Sequence, residues 1–281
     1  MFKSVVLASV AVAGLTAFAT GASAQSQTPV MGAGTTANEA FVIQRGLSNS
    51  AAVDQTGTNN KAGKLSTNVD LSVPNLSESN LNGVSNGAQT ILQNGAFNEL
   101  KVTQGGSNNT VSTIAGNRYG NPTIGVANGS FQQGIANSVD SNQLGTNGVA
   151  QFQQNGDKNK AWITAEAGSK NTYAGIFQFN GDNNRARITQ DYRADNAYAA
   201  IVQSGDYNVG NISQNGNTNY AALLQIGRGN EASITQTGSS VGAFGYQNGF
   251  GNYGSITQSA NSANAAFAQI GGFNSVTIRQ H

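Results

Sequence analysis

Residues 203–225 read QSGDYNVGNISQNGNTNYAALLQ, and this stretch contains the pattern that decides the fold. Its frame, Gln-x-Gly-x-x-Asn-x-Ala-x-Ile-x-Gln, repeats every eleven residues with some substitution at the alanine and isoleucine slots. The glutamines of the unbroken series are Gln203, Gln214, Gln225, Gln236, Gln247, Gln258, Gln269 and Gln280. The matching asparagines are Asn208, Asn219, Asn230, Asn252 and Asn274. A short, fixed period is typical of a solenoid, in which each unit buries its apolar side against its neighbours.

In an extended chain the Gln, Gly, Asn, Ala and Ile slots all lie on one side, which we expect to face inward. The Gly-x-x-Asn step supplies the two residue types that best tolerate positive φ, so it is interpreted as an arc. Two units then form one rung of about 22 residues, and rungs stack roughly 4.8 Å apart. The frame therefore predicts an all-β, cross-β β-solenoid of strand–arc–strand rungs. A helix is disfavoured, because a glycine would fall inside it at every repeat.

Inward-facing amides need partners, because a buried polar group without one costs about 1–3 kcal/mol. Stacking supplies them, since each amide can bond to the identical amide of the next rung. The thirteen glutamines and asparagines named above are therefore the predicted structural ladder. The alternative interpretation, that these amides are solvated turn residues, fits asparagine better than glutamine.

The chain divides into three predicted parts, the last of which has two insertions. Residues 1–24 have the positive Lys3, an apolar run and the Ala22-Ser23-Ala24 site of a secretory signal peptide, with an N-terminal anchor as the alternative. Residues 25–37 are interpreted as a flexible leader, and residues 38–281 as the repeat solenoid. Two insertions, at about residues 63–88 and 116–130, interrupt the frame and are expected to loop out. The three prolines, Pro29, Pro74 and Pro122, all lie outside the repeats, as a stacked sheet requires.

Composition narrows the function classes. The chain has 14 basic and 13 acidic residues and no cysteine, so it has neither an electrostatic footprint for nucleic acid nor thiolate metal ligands. Nothing after the signal peptide is apolar enough to cross a bilayer. The single histidine is His281, and we expect no enzyme activity, no metal and no cofactor. Disorder of the isolated monomer before assembly stays open, because Gly, Asn, Gln and Ser dominate.

The motif formed by Asn208, Gln214, Gly216, Asn219, Ala221 and Gln225 resembles the repeat of curlins, the subunits of the extracellular amyloid fibres called curli. The resemblance covers most of residues 38–280. It implies export, passage through an outer-membrane secretion pore, and polymerisation at the cell surface for adhesion and biofilm matrix. It also implies partners: other copies of the chain, and a related nucleating or major curlin subunit.

Two other function classes stay open. One is a monomeric secreted β-solenoid, either an adhesin or an ice-binding protein; the outward slots are mixed, whereas an ice binder favours one small residue, commonly Thr. The other is a β-helical polysaccharide enzyme, for which the sequence offers no cluster of acids and bases on one face.

The frame also predicts open strand edges that stack head to tail.

Overall fold

The computed structural model describes residues 15–20, 30–31, 39–56, 58–62, 91–111 and 130–281. Most of the predicted signal peptide, leader and insertions lie outside these residues, so those assignments stay predictions. The described residues contain strands, arcs and turns but no helix, and hence no helix that could span a membrane.

Two parallel sheets make up the structure. Sheet A has twelve strands: β1 (Leu15–Thr20), β3 (Glu39–Leu47), β5 (Lys61–Ala62), β6 (Ile91–Ala96), β8 (Thr110–Val111), β9 (Ser130–Ile135), β11 (Val149–Asn155), β13 (Tyr173–Phe179), β15 (Tyr198–Ser204), β17 (Tyr220–Arg228), β19 (Gly242–Phe250) and β21 (Asn264–Gly272). Sheet B has ten: β2 (Val30–Met31), β4 (Ser50–Gln55), β7 (Glu99–Gln104), β10 (Ser138–Gln143), β12 (Lys160–Ala165), β14 (Arg185–Gln190), β16 (Val209–Gln214), β18 (Glu231–Gln236), β20 (Tyr253–Gln258) and β22 (Ser275–Gln280).

From β9 onward the chain alternates between the sheets, so a strand pairs with the strand two further along rather than with the next one. Between β17 and β19 the identical slots lie opposite each other: Ala221 pairs with Ala243, and Gln225 with Gln247. These partners are 22 residues apart, and in the middle of the chain the spacing widens to 24 and 25. The predicted all-β solenoid with rungs of about 22 residues is therefore confirmed.

The core is a thin seam between the two sheets. Strands such as β18 alternate exposed or half-buried with buried residues, and the buried ones are the Ala, Ile and Gln slots. Ile188, Ile201, Ile212 and Leu223 are among the largest fully buried side chains. Each buried Ile or Leu contributes about 1.5–3 kcal/mol, so the repeated slot supplies most of the hydrophobic stabilisation.

Both interruptions of the repeat occur at the same point of a sheet A strand. Ala62 of β5 pairs with Ala40, and Ile91 of β6 pairs with Val42, so residues 63–90 stand where β3 has the single residue Phe41. One rung further on, residues 112–129 stand between β8 and β9 in the same way. Ser130, predicted as the end of an insertion, lies in β9. The described strands before and after the two segments therefore end and resume at one level, in adjacent rungs.

The arcs after the sheet A strands have positive φ at two positions. Gly205 has φ 96°, and a Cβ there would lie 2.2 Å from the carbonyl oxygen of Gly227, so only glycine fits. The second position is Tyr207, with φ 58°, and not Asn208. The sequence-based interpretation of the asparagine as a positive-φ residue is wrong for this arc, because its side chain turns inward to bond within the stack.

The N-terminal strands lie on the edge of the stack. β1 pairs in parallel with β3, from Leu15 opposite Ala40 to Thr20 opposite Arg45. β2 pairs with the end of β4 in the same direction. β1 lies within the predicted signal peptide, so its pairing covers an edge of sheet A that cleavage after residue 24 would uncover.

Candidate functional site

A continuous ladder of glutamine amides runs through sheet A. In every rung Nε2 donates to Oε1 of the glutamine in the next rung, over 2.8–3.0 Å. The members are Gln93, Gln132, Gln154, Gln178, Gln203, Gln225, Gln247 and Gln269. Apart from Gln269 at the edge, all are fully buried. The alternative of solvated turn residues is therefore wrong for these glutamines.

The second N–H of each amide crosses the core to the opposite sheet. Gln225 Nε2 donates to the carbonyl oxygen of Val209 at 2.9 Å, and Gln247 Nε2 does the same to Glu231 at 2.9 Å. The amides between the two ends of the ladder, from Gln132 to Gln247, thus use both N–H groups and accept at the oxygen. Because a buried amide without partners would cost about 1–3 kcal/mol, this bonding makes an inward glutamine tolerable and joins the two sheets.

The glutamine ladder of sheet B is interrupted at one rung. Its first section joins Gln55, Gln104 and Gln143, and its second joins Gln190, Gln214, Gln236, Gln258 and Gln280. Ala165 occupies the slot between the sections, opposite Gln143 on one side and Gln190 on the other. As a result, Gln190 Oε1 is buried without a hydrogen-bond partner.

Asparagines form a third ladder in the arcs that lead from sheet A to sheet B. Asn208 Oδ1 accepts from the backbone N–H and from Nδ2 of Asn230, both at 3.1 Å, while Asn208 Nδ2 donates to the Gly227 carbonyl oxygen at 2.9 Å. Asn252 and Asn274 continue the series with the same bonds. The side chain therefore binds the arc of its own rung to the arc of the next.

The structure does not bring Asn219 into this ladder. Asn219 lies in the arc on the other side of the solenoid, where its Nδ2 donates to the Gly238 carbonyl oxygen at 2.9 Å. Its Oδ1 accepts from the backbone N–H of Val241 at 3.3 Å. The residue at the same position of the next rung is Val241 rather than an asparagine. Asn219 therefore has no asparagine side chain to stack on there.

The ladders extend further toward the N-terminus than the thirteen predicted residues. The glutamines from Gln93 to Gln178 and from Gln55 to Gln190 belong to them, as do the asparagines Asn49, Asn98, Asn137, Asn159 and Asn184. These residues occupy the same slots of the eleven-residue frame, but long insertions and steps longer than eleven residues interrupt the frame there. The sequence-based prediction rests only on the part of the chain with unbroken spacing, and so it names only the C-terminal members of the ladders.

Aspartates bind the arcs from outside. Asp182 Oδ1 accepts from the backbone N–H of Asp157 at 2.7 Å, and Asp206 Oδ1 accepts from that of Asp182 at 3.0 Å. Asp157 in turn accepts from the N–H of Ile135 at 2.8 Å. Each carboxylate thus accepts a hydrogen bond from a backbone N–H of the preceding rung and joins the two arcs.

Within the described residues, no group of three or more His, Cys, Asp or Glu side chains lies close enough together to hold a metal ion. His281 Nδ1 lies 3.1 Å from Ser259 Oγ of the preceding rung, and both side chains are exposed. An exposed pair of this kind is a surface contact. What the geometry provides instead is a repeated set of polar and apolar slots, each complementary to a copy of itself.

The ladders and stacked sheets define a class of protein, the repeat β-solenoid whose rungs share one pattern. Within this class, the family model described as curlin associated repeat matches the chain at residues 35–63 and 208–238. The chain therefore carries curlin repeats, and the resemblance to the curlin family is confirmed. No curated protein matches the chain.

Proposed function

We propose that the chain is an exported structural subunit of extracellular curli-like amyloid fibres, which polymerises by head-to-tail stacking of its rungs. The curlin repeats support a curli-type structural subunit. Roles in cell adhesion and biofilm matrix belong to the same proposal. So do a related nucleating or major curlin subunit and an outer-membrane secretion pore as partners.

One observation carries this proposal: along the sheet A ladder, from Gln93 to Gln269, each rung completes the amide hydrogen bonds of its neighbour. In β21, Gln269 accepts from Gln247 and donates one N–H to the Tyr253 carbonyl oxygen. The second N–H, which in the preceding rungs goes to the next glutamine, has no partner within the described residues. Gln280 in β22 is placed identically, with bonds to Gln258 and to Asn264. The outer edge of this rung therefore accepts another rung of the same pattern.

The rung formed by β3 and β4 has that pattern. Gln44 and Gln55 occupy its glutamine slots, Val42 and Val53 its apolar slots, and Asn49 its arc. A second copy that placed this rung on β21 and β22, with its β2 displaced from Asp54 and Gln55 of β4, would continue all three ladders. In the unprocessed chain β1 covers β3. Removal of residues 1–24 during export would free that edge, which fits assembly outside the cell rather than before secretion.

The experiment is incubation of the chain from residue 25 onward, followed by thioflavin fluorescence beside electron microscopy and fibre diffraction. We expect fibres with a meridional spacing of roughly 4.8 Å along the axis. The edge variant Gln269→Ala/Gln280→Ala should lengthen the lag before growth. Its matched control, Ala268→Ser/Arg279→Gln, changes neighbouring outward residues of the same strands and should grow like the parent.

Sedimentation that shows only monomer after long incubation at neutral pH would contradict the proposal and favour the monomeric secreted solenoid. The partner assignment has its own test: fragments of fibres made by a related curlin should shorten the lag of this chain, whereas fibres of an unrelated amyloid should not. Equal lags with both kinds of seed would remove the related subunit from the proposal.

A further inference from the structure

Three tyrosines stack along the outward face of sheet A. The ring centroids of Tyr173 and Tyr198 are 4.6 Å apart with planes 8° from parallel, and those of Tyr198 and Tyr220 are 4.9 Å apart at 4°. They stack because β13, β15 and β17 pair in register at these positions. Neither the curlin frame nor the amide ladders require an aromatic residue in this slot, so the column needs its own explanation.

The three stacked tyrosines differ in solvent exposure and in the free space around their rings. Tyr173 is buried, and its hydroxyl lies 3.1 Å from Gln151 Oε1, to which it donates. Tyr220 is 47% exposed, and its outer side opens on a cleft of about 380 Å³. The cleft exists because the next position in the column is Gly242, which has no side chain to continue the stack. Tyr220 can therefore tilt, whereas Tyr173 is held.

We propose that Tyr198 and Tyr220 form a site of oxidative cross-linking, at which a peroxide acting through a peroxidase joins their rings as dityrosine. Each phenol loses one electron and its hydroxyl proton, which gives two tyrosyl radicals. The radicals combine through the ring carbons beside the hydroxyls, and each of those carbons then passes its proton to oxygen and restores a phenol. The protein loses two hydrogen atoms in total, and the peroxide takes up two electrons and two protons to become two molecules of water.

The stacked geometry favours coupling of these two rings. Burial, together with the neighbouring Tyr220, raises the pKa of Tyr198 to about 12, so its proton leaves when the ring is oxidised and not before. A radical formed on Tyr220 then faces a second phenol in parallel contact. The product links β15 to β17 covalently and would hold two adjacent rungs together.

The test is oxidation of the full chain, at high dilution, with hydrogen peroxide and a haem peroxidase. Tyr198, Tyr207 and Tyr220 lie in one tryptic peptide, residues 194–228, and cleavage before Asp206 separates Tyr198 from the other two. We expect dityrosine fluorescence and a linked pair of fragments, lighter by two hydrogen atoms than the sum of the separate ones. Fragmentation spectra should place the link between residues 198 and 220.

Two variants and one control decide the matter. Tyr220→Phe and Tyr198→Phe keep a ring in the stack but remove the phenol, and each should abolish the link. Tyr207→Phe is the control, because Tyr207 is 51% exposed in the same peptide and contacts Arg228 rather than another tyrosine. A link of undiminished yield in Tyr220→Phe, or one that joins Tyr207 or a second molecule instead, would overturn the proposal.

Discussion

Ala165 leaves the amide oxygen of Gln190 buried and unpaired, and this residue suggests the simplest stabilising change. Ala165→Gln would place an amide between Gln143 and Gln190 and join the two sections of the sheet B ladder. The bond to Gln143 contributes about 1 kcal/mol, and a partner for the unpaired oxygen of Gln190 recovers about 1–3 kcal/mol. Lost rotamer entropy of the new glutamine costs about 1.5–2 kcal/mol, so we expect a net gain of about 1 kcal/mol. The free energy of unfolding by urea measures it.

A glutamine elsewhere in the same strand provides the control. Ala161 is equally buried but belongs to the apolar core cluster, where no ladder amide lies above or below it. Ala161→Gln should therefore destabilise the chain. If both substitutions lowered the stability alike, the gap at Ala165 would not be an unfilled ladder position.

Ser141 is a second position where a buried polar atom has no hydrogen-bond partner. It occupies the isoleucine slot of sheet B, between Val102 and Ile163, where it is fully buried and its Oγ has no partner. Ser141→Val removes an unsatisfied hydroxyl that costs about 1–3 kcal/mol, and we expect stability to rise by a similar amount. The denaturant midpoint should increase with an unchanged slope.

Ser130 lies in the corresponding apolar slot of sheet A and is the matched control. Its Oγ accepts a hydrogen bond from the backbone N–H of Phe152 at 3.2 Å, so Ser130→Val removes a bond that Ser141→Val does not. The gain should be absent at Ser130. Equal gains at both serines would mean that the volume of the side chain, rather than the unpaired hydroxyl, controls stability here.

The inward-facing residues also show which features can be predicted from the sequence and which cannot. The eleven-residue period predicts which glutamines face inward, because side-chain direction in a strand depends only on alternation. It does not distinguish the two arcs, so Asn208 and Asn219 look equivalent although only Asn208 stacks on other asparagines. Nor does it reveal Tyr207 as the second positive-φ residue, since backbone geometry at that position comes from the inward turn of Asn208.

At the scale of the strand, the amide ladder should matter more than the solvated face. In Gln225→Ala/Gln236→Ala/Gln247→Ala the neighbouring amides lose partners on both sheets, and carbonyl oxygens such as that of Val209 lose a donor. We expect much slower fibre growth and a loss of at least about 3 kcal/mol in stability, at about 1 kcal/mol or more for each glutamine. Thioflavin kinetics at matched concentrations measure the first effect, and denaturant unfolding the second.

The control replaces three outward residues, Ser233→Ala/Thr235→Ala/Ser255→Ala. All three are half-buried, and Ser233 and Ser255 share one hydroxyl bond at 3.3 Å. Their loss should change growth little. Indistinguishable kinetics for the two triple variants would show that the inward amides do not control assembly.

The short strands mark the limit of sequence reasoning at this scale. β5 and β8 contain two residues each, too few for any alternation to be recognised, yet each holds the sheet A register directly before one of the long segments. The sequence predicts two insertions from the loss of the frame. It could not predict that the strand is interrupted at the same position in adjacent rungs, because that follows from the pairing of β5 with β8.

Over the whole molecule, charge is distributed unevenly along the stack. In the middle, Lys160 lies directly opposite Arg185 in adjacent strands, and Asp157, Asp182 and Asp206 follow one another in the arcs. From Ala232 to Ile278 there is no charged residue at all. Like charges opposite each other oppose strand pairing, so the middle of the chain should resist association and the C-terminal rungs should not.

The order of assembly follows from this difference. A peptide of residues 225–280 has the unbroken ladder and exposed aromatics such as Phe250 and Phe273, and it should form fibrils alone. A peptide of residues 143–203 has the same fold but stacked charges, and at equal concentration it should form them more slowly. In the full chain, deletion of residues 259–281 should lengthen the lag, because it removes the edge rung of β21 and β22 and shortens the charge-free end of the stack. Added salt should narrow the gap between the peptides by screening the charges of the slower one. If the middle peptide assembled first at low salt, charge would not set the order, and growth would have to begin elsewhere in the stack.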